Sequence, residues 1–409
     1  MGIEGLKTLV NKCPNAQRFI PARFFKGKRV AIDAGNVMVK TITSIWSKEV
    51  ERTRYPQEEP NMERFIRRWL NRLHSDLKFF LEVGITPVYV FDGKNPPEKE
   101  RCQIKRKAER QKCQDEYNQL FSQITQMHES QYNTIIDRLK TKAKRLFPCS
   151  SEIIGLMQEF YGSLGVPIIV CNEESERLCA QLVRSGYCSA VFTEDRDTLV
   201  HGAPIIIINK GSMIEFEGEN EPAVEIIDLY ELLTGLQLSF VQFVDLCIMC
   251  GCDYNDRIKQ LGPGRAYPLI KKYGSIADIP DTNIIRWVKI HVKRNPTASH
   301  MLNDPKRVLE VEACYRRFAP ISVEELISDR DMELDILNNM TMAPEIGFEA
   351  AEFLSSYRME SIIPSINTLL AFHPKIPTRD GLLIPTPDII KGENFRLIVG
   401  VNIRQKWGI

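Results

Sequence analysis

The sequence contains no apolar run approaching the roughly 18 residues that a membrane-crossing helix needs, so a soluble protein is expected. It has no surplus of either charge: 54 Lys and Arg stand against 53 Asp and Glu, a net charge of +1. Composition alone therefore advertises no polyanionic partner, and any such surface must come from local placement. No signal-peptide pattern is present, and Met1-Gly2 is followed by Leu6 where a myristoylation motif wants Ser or Thr. The 11 cysteines are odd in number and irregularly spaced, which points to a reducing intracellular setting rather than a disulfide framework. Cys247, Cys250 and Cys252 include one C-x-x-C, but no second pair or His lies at zinc-site spacing, so they read as core cysteines.

What is present is a recurring unit, a short apolar run ending in acid. Val30-Ala31-Ile32 ends in Asp33, and Thr86 to Phe91 ends in Asp92. Ile168 to Cys171 leads into Glu173, Glu174 and Glu176, and Ala190-Val191-Phe192 into Asp195 and Asp197. Runs of this kind read as strands buried on both faces of a parallel sheet. The stretch from Val166 to Leu199 reads as strand, helix, strand, a βαβ unit, and ligands bind beyond the carboxyl ends of such strands. Carboxylates gathered along that edge repel one another unless cations lie between them, the pattern of a divalent-metal site. Taken singly, each acid is equally a solvated turn residue.

Met62 to Glu82 has helical apolar spacing and stops at Gly84, whereas residues 44–61 read as a polar loop. Residues 94–147 hold 13 Lys and Arg against 7 Asp and Glu, a local balance of 13 − 7 = +6, and no Gly. With few apolar residues to bury, this segment reads as a solvated helical hairpin or as an arch facing a polyanion. Pro204 to Asn209 reads as a strand and Ser212 to Phe216 as its hairpin partner. Phe240 to Cys250 reads as an amphipathic helix. Gly262-Pro263-Gly264-Arg265 then opens another helix, either as an ordinary corner or as a phosphate-binding turn.

In order along residues 1 to about 275, these fragments resemble the flap endonuclease branch of the XPG family of structure-specific 5′ nucleases. The family's opening pattern stands here as Met1-Gly2-Ile3-Glu4-Gly5-Leu6, its V-x-x-D-A as Val30 to Ala34, and its P-V-Y-V-F-D-G-K as Pro87 to Lys94. Its E-x-E-A is Glu174-Ser175-Glu176 followed by Arg177 instead of Ala, and T-E-D-x-D is Thr193 to Asp197. F-V-D-L-C-I, G-x-D-Y and G-P-x-R-A are Phe243 to Ile248, Gly251 to Tyr254 and Gly262 to Ala266.

The resemblance implies an α/β fold, with a mixed, largely parallel sheet flanked by helices in a PIN-like nuclease core over residues 1–335. It also implies a helical arch at about 94–147, a helix–two-turn–helix element at about 240–275 and an extension at 336–409. The metal carboxylates it implies are Asp33, Asp92, Glu174, Glu176, Asp195, Asp197 and Asp253, with Glu173 one register step from Glu174. They would hold two Mg²⁺ ions about 4 Å apart, with Mn²⁺ able to substitute, some carboxylates acting through water. Lys99 and Arg106 match the pair that contacts the reacting phosphate, and seven residues apart on a helix they share a face. Gly2, Gly251, Arg257, Gly262, Gly264 and Arg265 fall in DNA-contacting positions.

The implied activity is 5′ flap cleavage and 5′→3′ exonuclease action on DNA by a monomer in the nucleus, serving replication, repair or recombination. The alternatives are a junction resolvase, a 5′ exoribonuclease or a non-catalytic scaffold. Several positions depart from the family. Its stacking aromatic falls at Val39, and a basic residue falls at Asp76, although Arg72 lies one turn earlier. The family's K⁺ site, to which a Ser or Thr contributes, has Arg257 at that position and Gln260 nearby. No sliding-clamp peptide is legible in residues 336–409.

Overall fold

The computed structural model describes residues 2–3, 5–53, 58–124, 132–255, 257–294, 302–304, 306, 309–319 and 347–371. Its strands are β1 (Gln17–Pro21), β2 (Arg29–Asp33), β3 (Thr86–Phe91), β4 (Ile168–Val170), β5 (Ala190–Phe192), β6 (Ile205–Phe216) and β7 (Glu219–Asp228). They form one sheet in the order β1-β7-β6-β5-β2-β3-β4. The run from β6 to β4 is parallel, while β7 is antiparallel to both its neighbours. The sheet is mixed and largely parallel, as expected.

The helices are α1 (Leu6–Val10), α2 (Ala34–Arg52), α3 (Met62–Val83), α4 (Glu100–Ile124), α5 (Tyr132–Arg145), α6 (Ser151–Ser163) and α7 (Ser175–Arg184). They continue with α8 (Leu229–Leu236), α9 (Phe240–Cys250), α10 (Pro263–Tyr273), α11 (Asp281–Arg294), α12 (Val311–Phe318), α13 (Phe348–Ser356) and α14 (Ile363–Ala371). Alternation within the strands builds a core on each face of the sheet. Ala31, Val88, Val90, Val191 and Ile206 point into the layer containing α1, α7, α8, α9 and α10. Val30, Ile32, Tyr89, Phe91 and Phe192 point into the layer containing α2, α3 and α6. Leu354 of α13 and Ile366 and Leu370 of α14 join that second core, so part of the C-terminal stretch lies against the α/β core. The remainder of 336–409 falls outside the described residues.

Four expectations change. Residues 44–52 are the second half of α2, not a loop. Ile42, Ile45 and Val50 are buried on one side of it. The polar appearance comes partly from Glu49, which is fully buried and ion-paired to Arg52, Arg64 and Arg68.

The turn expected near Gly211 is instead an irregularity inside the single strand β6. The chain reverses at Glu217-Gly218, both at positive φ, and β7 is the hairpin partner.

Strands β4 and β5 are not neighbours, because β2 and β3 pair with each other between them. The crossover through α7 therefore skips two strands. Finally, the 94–147 segment buries more than its composition implies. Leu120 and Ile124 of α4 pack with Ile135 and Leu139 of α5. Helix α5 also lies against α2, where Trp46 Nε1 donates to Ala143 O at 2.9 Å.

Candidate active site

The four parallel strands β5, β2, β3 and β4 are adjacent, so their acidic carboxyl ends line one edge. Asp33 ends β2 and caps α2: Oδ1 accepts from the Asn36 N–H at 3.1 Å and from Ser175 Oγ at 3.2 Å. Its Oδ2 accepts from Thr193 Oγ1 at 3.0 Å. Burial, then the charge of Asp92, pushes the Asp33 carboxyl up to about 6. Asp92 accepts from the Ser175 N–H at 2.7 Å. The next residue must be Gly: a Cβ at Gly93 would sit 1.9 Å from the Cys171 carbonyl oxygen.

The other strand ends supply the rest. Burial followed by Asp195 and Asp33 holds Glu176 well above the carboxylate range. Burial also raises Asp195, whose Oδ1 accepts from the Asp197 N–H at 3.1 Å. Asp197 is raised by burial and by Asp195, and takes the Ile3 N–H at 2.7 Å. The N-terminal segment thus folds onto this edge. Gly2, at φ 107°, lies so close that a Cβ would stand 2.6 Å from Asp197 Oδ1 and 2.8 Å from Asp195 Oδ1.

Both predicted cations reach the acids. Lys99 Nζ donates to Glu174 Oε1 at 2.6 Å and lies 3.5 Å from Asp253 Oδ2. Arg106 Nη2 spans Asp253 at 2.9 and 2.6 Å. Burial would raise Glu174, but Lys99 and the donors around it outweigh that and leave the carboxyl below its ordinary range. Glu173 takes a different role, paired with Arg317 at 2.8 Å and Arg177 at 3.4 Å. Glu174, not Glu173, is the acid that faces Lys99.

This donor set suits hard divalent cations. Asp33, Glu176, Asp195 and Asp197 are oxygen donors whose mutual repulsion must be met by protons or by positive charge. Among the described residues no three acidic, His or Cys side chains stand together as a group that would hold an ion by themselves. Mg²⁺ does not require one, since it keeps several waters and takes only one or two carboxylates directly.

A cleft of about 350 Å³ runs from this edge between α4 and the turn after α9, lined by Gly2, Arg101, Lys105, Arg106, Gly251 and Arg257 among others. Gly251 sits at φ 95°, with its missing Cβ 3.0 Å from that of Arg257. Gly262 caps α10 without any side-chain bond, and the space beside Gly262 and Gly264 is open. Arg265 stacks on Trp287 at 4.3 Å and donates to the carbonyl of Gln260, a residue at φ 71°. Elsewhere Val39 is exposed, and Asp76 binds Lys210 of β6 at 2.7 Å and Arg72 at 3.0 Å. A cation from strand β6 therefore stands against the acid at that position of α3.

Sequence reading missed the neutral and distant partners. Thr193 and Ser175 fall within the motifs, but their hydroxyls have no role there, whereas in the structure both donate to Asp33. Tyr254, whose role the G-x-D-Y motif does not indicate, donates through Oη to Glu174 Oε2 at 2.7 Å. Arg317 donates to Glu174 Oε2 at 3.2 Å, and nothing in its local sequence signals this.

The family model of the XPG N-terminal domain matches residues 1–113, and that of the XPG I-region matches residues 165–253. Flap endonuclease 1 of Theileria parva is 31% identical over 280 residues, covering 68% of this chain and 52% of that protein. This chain thus spans about half the length of that relative. Flap endonuclease 1-2 of Paramecium tetraurelia is 33% identical over 284 residues, covering 68% of this chain and 67% of its own. Among solved structures, flap endonuclease-1 from Methanococcus jannaschii superposes with a TM-score of 0.52 at 22% identity, covering 87% of this chain and 96% of that one. Motif order, sheet topology and these relatives agree: the chain belongs to the flap endonuclease branch of the XPG family.

Proposed function

We propose that this chain is a Mg²⁺-dependent structure-specific nuclease, cutting DNA at 5′ flaps and acting as a 5′→3′ exonuclease. The observation that carries the reading is the row of carboxylates on four adjacent parallel strands, with Lys99 and Arg106 reaching over it from the base of α4. Asp33, Asp92, Glu174, Glu176, Asp195, Asp197 and Asp253 would hold two ions, with Mn²⁺ an acceptable substitute. When bound, such ions lower the pKa of an attacking water and neutralise the leaving oxygen. The chain's own contribution is positional. Lys99 and Arg106, now on carboxylates, are within reach of a scissile phosphate and would stabilise charge developing on it. Gly2 and Gly251 line the cleft, Gly262 and Gly264 lie beside open space where a nucleic-acid backbone can approach closely, and Arg265 adds charge beside α10.

The test is an array of labelled flap, nicked, four-way and RNA substrates incubated with Mg²⁺. Preferred cutting of the flap is expected. Preference for the four-way junction or for RNA would instead make the protein a resolvase or an exoribonuclease, and no cutting at all would make it a scaffold. A monomer acting in the nucleus completes the proposal.

Arg257 bears on the K⁺ position. A guanidinium cannot ligate a cation, but it can bond a phosphate and supply the same charge. We expect duplex affinity at fixed ionic strength to be indifferent to exchanging K⁺ for a bulky organic cation. Arg257→Ser should weaken binding and make it K⁺-dependent. A K⁺ requirement in the unmodified protein would overturn this assignment.

A further inference from the structure

Helix α12 lies outside both segments matched by the family models, yet it reaches the acidic edge. Two arginines make a reciprocal connection. Arg177, on α7 where the family pattern has Ala, donates through Nη2 to the carbonyls of Arg316 (3.2 Å) and Ala319 (3.1 Å), tying down the end of α12. In return Arg317 of α12 donates through Nη2 to Glu173 at 2.8 Å and to Glu174 at 3.2 Å. Both arginines are buried, 8% and 5% exposed.

Docking alone does not call for this arrangement. Phe318 already packs edge-on against Tyr254 and His201, at 5.5 and 5.2 Å. A buried ion pair rarely improves on apolar packing of equal volume, because desolvating two charges costs about what their attraction returns. The target of Arg317 is informative. Glu174 Oε2 already takes the Tyr254 hydroxyl at 2.7 Å, and Oε1 takes Lys99 at 2.6 Å. Arg317 and Tyr254 thus share one oxygen, and Lys99 takes the other. Hydrogen bonds of this kind orient a carboxylate ligand and set its basicity.

We infer that Arg317 is a positioning residue for the nuclease reaction, fixing Glu174 together with Tyr254, and that Arg177 keeps α12 in place for it. The inference rests on the reading of Glu174 as a metal carboxylate. The full chain would be compared with Arg317→Met and Arg317→Lys in three measurements. These are calorimetric binding of Ca²⁺ without DNA, single-turnover flap cleavage against Mg²⁺ concentration, and melting in EDTA.

For Arg317→Met the Ca²⁺ affinity should fall, and the half-saturating Mg²⁺ concentration should rise, by about tenfold or more, the usual cost of losing a ligand-orienting contact. Flap affinity in EDTA should not change. Arg317→Lys should recover part of the loss, since it keeps the charge but not the two-way reach. If Arg317→Met does not fold, Tyr254→Phe removes the other donor to the same oxygen and should show the same weakened Ca²⁺ binding. Metal affinity equal to wild type in a folded Arg317→Met, or in Tyr254→Phe, overturns the inference and leaves a structural clamp. Failure of the wild type to bind Ca²⁺ or cut any substrate would instead sink the functional reading beneath it.

Discussion

Asp92→Asn is expected to remove nearly all cleavage while leaving the protein folded and flap binding largely intact. The amide oxygen of Asn can still accept from the Ser175 N–H that now bonds Asp92 at 2.7 Å, so the β3 end keeps its shape. What disappears is one negative charge from the edge proposed to hold cations. The same charge now helps to push buried Asp33 up to about 6, after burial itself. Removing it relieves repulsion, so melting in EDTA should be unchanged or higher even as activity is lost. Sites that concentrate like charges characteristically trade stability for function in this way. Flap affinity should persist, since phosphate contacts away from the acids are expected to carry it. Retention of more than about a tenth of the wild-type rate, a barrier change under about 1.4 kcal/mol, would remove Asp92 from the metal set.

Arg106→Ala is expected to lower turnover by about 10²–10³, the effect of deleting one preorganised electrostatic group. Arg106 is held in place by Asp253, with Nη2 at 2.6 Å from Oδ2. It is part-exposed on the cleft side of α4, so it can exchange this partner for a phosphate without reorganising the helix. Affinity should change much less, since Arg101 and Lys105 line the same cleft. Single-turnover rates at saturating enzyme separate the two effects. An unchanged saturated rate with weakened binding would reduce Arg106 to a tether.

The difference between what could and could not be foreseen follows the range of the interactions. The strand–acid units were legible because a short apolar run bounded by turns has few ways to be buried. The residue at its end then inherits the strand's carboxyl edge. A helix limit was legible where the signal was local: Gly84 ends α3 in the left-handed region, where glycine is favoured. Where burial was achieved by a distant partner, local reading failed. Glu49 makes residues 44–52 look like a loop until Arg64 and Arg68 of α3 are seen to neutralise it. Lys210 meets Asp76 across 134 residues, so a departure at one position could not be weighed without the other.

The seven-residue spacing of Lys99 and Arg106 and the order of the motifs were determined by the sequence alone, because period and spacing are properties of a single chain segment. Only the tertiary structure decided that β2 and β3 separate β4 from β5, and that Glu174 rather than Glu173 faces Lys99. It also decided that Arg317 closes over Glu174 from α12. Hydrogen-bond pairing between strands and the meeting of buried charges depend on distances through space, and sequence separation does not encode them.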